Sequence, residues 1–183
     1  MDYIERRSRL TTFFRYLLAI PHLVFATFYG LVFYVVLIIS WFALVFTARW
    51  PEPLWNFSTG FLRYITRLSA YLFLGVDQYP PFSGGEHPEY PVRVPIAPPL
   101  EHYSRLKVFF RFIYAILAYV IRYALGLVLS FVAFLAWFAI VVLGRQPRSL
   151  QDAIDFCLAY TTRADALLFL ITETYPPFGS DVA

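Results

Sequence analysis

The sequence predicts an all-α integral membrane protein made of two tandem helical-hairpin repeats joined by a proline-rich loop, and three observations carry that prediction. The composition is 60% hydrophobic and 21% aromatic with a mean hydropathy of +0.60, well outside the balance of a soluble domain. Residues 16–48 hold one histidine and no charged side chain. As a helix rising about 1.5 Å per residue such a run is about 50 Å long, against about 30 Å of bilayer hydrocarbon. The third observation is that the apolar run at 13–47 recurs at 109–143, 96 residues later and without a gap.

The repeat extends past the apolar runs. Arg9-Leu10 is answered by Arg105-Leu106, Phe13-Phe14-Arg15 by Phe109-Phe110-Arg111, Trp41-Phe42-Ala43 by Trp137-Phe138-Ala139, and Tyr79-Pro80-Pro81-Phe82 by Tyr175-Pro176-Pro177-Phe178. About 31 of about 76 aligned positions are identical, more than two unrelated apolar segments share by composition. The chain divides into a first repeat at 1–84, a linker at 85–104 and a second repeat at 105–183.

Taken in order, residues 1–15 are a basic amphipathic start. Arg6, Arg7, Arg9 and Arg15 stand among Leu10, Phe13 and Phe14, a pattern suited to anionic headgroups. Pro21 lacks an N–H donor, so a bend is expected near residues 19–22, where an interfacial segment turns into a spanning one. The first run ends at Arg49-Trp50-Pro51, a tight connector with an interfacial aromatic. A second helix is expected over 54–76. There Asn56, Arg63 and Arg67 fall on one stripe, with apolar residues elsewhere around the helix.

The linker that follows is too rich in proline for a helix. Within it Tyr90-Pro91-Val92-Arg93-Val94-Pro95-Ile96 alternates as an extended edge or isolated arm would. The second repeat opens with Arg105, Lys107 and Arg111, and Arg122 delays the start of its spanning segment to about residue 123. After the connector at Pro147, Ser149 is the expected N-cap of a helix over 150–172, with Asp152 in its first turn. The stripe of that helix carries Asp152, Asp155 and Arg163.

Four helices are therefore expected: two membrane spans, and two amphipathic helices that either span or lie in the interface. Basic residues favour the cytoplasmic side, and four spans with both termini in the cytoplasm of a multi-pass cell-membrane protein satisfy that bias. Arg63 would then be buried in the membrane, and a pairing of Arg63 or Arg67 with Asp152 or Asp155 across facing helices would neutralise it.

Phe14-Arg15-Tyr16-Leu17-Leu18-Ala19-Ile20-Pro21-His22, Trp41-Phe42-Ala43, Tyr79-Pro80-Pro81-Phe82 and Tyr90-Pro91-Val92-Arg93-Val94 together resemble the bacterial membrane family catalogued as domain of unknown function 4389. The resemblance covers nearly the whole chain. It implies a prokaryotic integral membrane protein of repeated units and no assigned activity. The second copy departs from it at Leu117-Ala118, where the first has Pro21-His22.

Few residues suggest chemistry. His22 is the foremost ionisable candidate, read as an interfacial side chain bonded to a carbonyl or headgroup, with a proton-linked switch as the sharper alternative. The pairs Glu86-His87 and Glu101-His102 match no metal-ligand spacing, so no metal and no cofactor are expected. Cys157 stands alone and forms no disulfide framework. No nucleotide, zinc-protease or nucleophile-elbow motif occurs, which argues against an enzyme. The net charge of +3 arises from basic residues at the ends of apolar runs, which suits lipid rather than nucleic acid. The interfacial set is Arg6, Arg7, Arg9, Arg15, His22, Arg105, Lys107 and Arg111. The expected function is a non-enzymatic accessory or scaffold that binds membrane lipids, a membrane-protein partner or further copies of itself. The alternative is a small transporter, channel or lipid-moving protein that uses the polar stripes.

Overall fold

The computed structural model describes residues 7–178; Arg6 of the expected interfacial set lies outside them. The described chain is all-helical, with six helices where four were expected: α1 (Arg9–Phe13), α2 (Arg15–Thr47), α3 (Glu52–Leu72), α4 (Arg105–Phe109), α5 (Arg111–Leu143) and α6 (Arg148–Leu168). The two additional helices are single turns that open each repeat. Each is started by a serine, Ser8 or Ser104, whose hydroxyl accepts from the N–H three residues on. Each ends one residue before a long helix, at Phe14 or Phe110, whose ψ near 9° or 19° breaks the α geometry.

The bend therefore falls at Phe14 and not at Pro21, which lies inside α2. Nor does α5 wait for Tyr123. It runs unbroken from Arg111 and carries Arg122 within it. Both long helices stop on a left-handed residue, Ala48 at φ 57° and Gly144 at φ 72°. Pro51 and Pro147 are the N-caps of α3 and α6, so Ser149 is already helical instead of capping. Both second helices close on a left-handed leucine, Leu74 and Leu170, each at φ 64°.

Within each repeat the helices form a hairpin. Phe57, Phe61, Tyr64 and Tyr71 mark one face of α3, which meets Tyr29, Phe33 and His22 of α2; the Phe33 and Phe61 rings stack at 4.2 Å. Phe33 is 1% exposed, and burying a side chain of that size contributes about 1.5–3 kcal/mol. The hairpins join through α3 and α6, where Thr66 and Thr162, equivalent residues 96 apart, lie with hydroxyls 3.4 Å from one another. That self-contact marks a pseudo-two-fold axis.

The short helices cross between the repeats. Phe13 of α1 stacks on Trp137 of α5, and the Arg7 N–H donates to the Gly144 carbonyl. In the mirrored arrangement, Trp41 of α2 donates to the Val108 carbonyl of α4, and the Tyr103 N–H donates to the Ala48 carbonyl. The start of each long helix therefore lies beside the end of the other. α2 and α5 run antiparallel, which departs from the four-span arrangement, where both must start on one side.

The linker consequently has to travel the length of the molecule, from Val76 beside Arg15 to Tyr103 beside Ala48. It first lays Gly84 on Gly60 so closely that a Cβ on Gly84 would come within 2.6 Å of the Gly60 backbone. The arm over 90–96 alternates as its sequence predicts: Tyr90 and Val92 are buried, and Arg93 and Pro95 are exposed. It joins no sheet.

α2 and α5 are each long and apolar enough to cross a membrane, and only 17% and 22% of their most apolar windows are buried. Large side chains such as Phe28, Leu31, Phe46, Phe112 and Phe131 are more than half exposed. The core helix of a soluble protein would be mostly buried. Thr27, Ser40, Thr47 and Ser130 return their hydroxyls to carbonyls four residues earlier, so these polar groups are satisfied inside their own helices.

Candidate functional site

The polar residues gather at the two ends of the molecule and in a basin beneath the linker. At the first end Arg15 is 1% exposed. Its Nη1 donates to the carbonyls of Tyr71 and Val76, its Nη2 to Asp77, and its guanidinium lies 4.7 Å from the Tyr71 ring centroid. Arg7 adds bonds to the Gly75 carbonyl and to Gln151, and pairs with Asp77 at 3.1 Å. Gln151 in turn donates to Asp155 at 2.8 Å. These cations serve buried carbonyls at and just beyond the end of α3, where the helix dipole favours positive charge.

Arg7 and Arg15 are therefore buried structural groups and not the headgroup contacts expected from the sequence. His22 is likewise fully buried and meets no headgroup; of its two expected partners it has the carbonyl, that of Pro80. Its Nδ1 lies 3.0 Å from the Tyr64 hydroxyl and its ring stacks on Phe82 at 3.8 Å. Arg111 is buried as Arg15 is, and Arg9, Arg105 and Lys107 are exposed.

The other end repeats the design with a difference. Arg111, equivalent to Arg15, donates Nη1 to the Thr172 carbonyl at 3.1 Å. Glu173, equivalent to Asp77, turns instead to the Ser104 N–H at 2.7 Å and lies 3.8 Å from Lys107. Tyr103 donates to the Ile171 carbonyl, and burial pushes its phenol up, so it stays a neutral donor.

The stripes of α3 and α6 do not meet as charged surfaces. Arg67 is turned about 100° around the helix from Thr66, the residue that touches α6. Arg63 pairs with Glu86 of the linker at 3.1 Å, and Arg67 donates to the Ser83 carbonyl at 3.4 Å, in place of the expected Asp152 or Asp155. Arg63, Arg67, Glu86, His87 and Arg93 line an open basin of about 430 Å³. Asn56 and Asp152 are exposed, and Arg163 donates to the Pro177 carbonyl.

Within α5 and α6, Arg122 forms a two-pronged pair with Asp165, at 2.5 and 3.2 Å. Sequence reading singled out Arg122 but not its partner, and missed Asp77 and Glu173. A signal for the first pair was present in the repeat: Ala26 and Ser69 of the first copy change together to Arg122 and Asp165 in the second.

The family model described as Domain of unknown function (DUF4389) matches residues 9–84 and again residues 105–180. The chain belongs to this family. The two matched units are the two hairpins, each with its short opening helix, so the paired ends just described are one family unit seen twice in different states. No curated protein matches the chain, and no solved structure does.

Proposed function

We propose that this family member is a non-enzymatic membrane module that lies in one leaflet instead of crossing the bilayer. α2 and α5 rest parallel to the membrane with their exposed apolar flanks in the acyl region. α3, α6 and the linker face water, and form a platform for headgroups or for another membrane protein.

The path of the linker is the observation that carries this reading. Gly84 rests on Gly60, beside Tyr29 near the middle of α2, and Glu86 two residues later has a side chain 78% exposed. Were α2 upright, that carboxylate and its partner Arg63 would sit near the bilayer midplane, with the carboxylate turned outward where charged groups face the interior of a bundle. Residues 78–103 make only two backbone–backbone hydrogen bonds among the described residues, Tyr90 to His87 and Tyr103 to Ala48. Irregular backbone of that kind is not found facing hydrocarbon. The charge distribution agrees. Arg7, Arg9, Arg145 and Arg148 lie towards one end, and Arg49, Arg105, Lys107 and Arg111 towards the other. An upright molecule would place one basic end outside the cell, whereas a recumbent one sets both ends at the anionic headgroups of the cytoplasmic leaflet.

Single cysteines at Glu52, Gly85 and Ser149, in a Cys157→Ala background, test the arrangement with a membrane-impermeant maleimide on sealed vesicles. All three labelled from one side is the expected result. Glu52 and Ser149 on opposite sides would establish upright antiparallel helices and end the proposal. The two on one side with Gly85 on the other would restore the four-span topology.

A further inference from the structure

Between α2 and α5 runs a groove of about 790 Å³, within the range of about 300–1,000 Å³ typical of ligand sites. Its walls include Leu37 and Trp41 from α2, Ile116 and Tyr119 from α5, and Phe169 after α6. Arg111 is the one charged residue in its lining. Arg111 is 3% exposed, and both its Nε and its Nη2 are without a hydrogen-bond partner.

The first repeat supplies an internal control. Arg15 occupies the same position, and its Nη2 is neutralised by Asp77 within the chain. In the second repeat the corresponding acid, Glu173, is committed to Ser104 and Lys107, and Arg111 keeps one carbonyl partner. Glu173 acts on the Arg111 guanidinium through space and without a hydrogen bond, and a buried cation whose N–H groups go unpaired is costly. Here the unpaired nitrogens belong to a residue that lines an apolar groove.

We infer that the groove is a binding site for a phospholipid with an anionic headgroup, one acyl chain lying between α2 and α5 and the acidic head taking on Arg111 the role that Asp77 takes on Arg15. The inference deepens the proposed membrane role by naming its ligand class. The test is made in detergent, where the outcome does not depend on how the helices lie in a bilayer.

The purified chain, with phosphatidylglycerol or phosphatidylcholine of equal chain length, is examined by native mass spectrometry. Phosphatidylglycerol is expected to be retained at least tenfold more than phosphatidylcholine, the preference lost in Arg111→Gln and largely kept in Arg111→Lys. Ile116→Trp, which narrows the groove from an exposed position, is expected to lower retention of both lipids at least fivefold. No headgroup preference in the parent chain, or the full preference in a folded Arg111→Gln, would overturn the site, the latter assigning the effect to exposed Arg105 and Lys107. Should Arg111→Gln fail to fold, Ile116→Trp decides: undiminished phosphatidylglycerol retention refutes the groove.

Discussion

At the scale of single residues, the two repeats act as each other's control. Arg122 and Asp165 occur where the first copy has Ala26 and Ser69, and the pair is partly buried, with side chains 38% and 13% exposed. Arg122→Ala or Asp165→Ser alone is expected to lower unfolding free energy by about 1–3 kcal/mol, because each leaves a charge without its partner. The double change recreates the first copy's pair and is expected to recover all but about 1 kcal/mol, measured by thermal unfolding in mild detergent. Strictly additive losses would show that the contact does not couple the two helices. Sequence alone placed Arg122 at a depth where it must snorkel or find a partner, and could not name that partner, because depth is read along one helix while Asp165 lies on another, 43 residues away. Arg15 was misread for a similar reason: beside apolar neighbours it looks like a headgroup anchor, and only the fold brings the end of α3 to it.

At the scale of elements, the long helices were legible because a run without charges leaves no other way to satisfy the backbone in an apolar setting. Their ends were less so. Pro21 marks a bend by its missing donor, yet α2 absorbs it, and the break falls at Phe14 and Phe110, where no sequence rule signals one. The C-caps yield a prediction. Ala48 holds φ 57° with a Cβ that disfavours it, while Gly144 holds φ 72° without one. Ala48→Gly is expected to raise stability by about 1 kcal/mol. Gly144→Ala is expected to lower it by about as much or more, since its Cβ would also stand 3.0 Å from the Arg9 Nε. Opposite shifts in melting temperature check both. A fall for Ala48→Gly would mean that the Ala48 methyl contributes more by packing than its backbone costs.

At the scale of the whole molecule, the tandem repeat was plain in the sequence and the relation between its copies was not. A 96-residue period is compatible with parallel or antiparallel hairpins, and the choice is made by contacts such as Phe13 on Trp137 that no local pattern encodes. The same contacts predict that residues 1–84 and 85–183, expressed as separate chains in one cell, co-purify as a complex, whereas either alone is degraded. Recovery of a stable, monomeric first half would contradict that dependence. The exchange of α1 and α4 also has a consequence for synthesis. When the first hairpin leaves the ribosome, the surface that will receive α1 has yet to be translated, and the flank of α2 that α4 will cover is still bare. The early half must wait, incompletely dressed, until Trp137 and Gly144 emerge some 60 residues after it. A chain stalled in that interval offers its uncovered flank to any identical neighbour on the same membrane, so pausing within the linker should convert monomers into exchanged dimers.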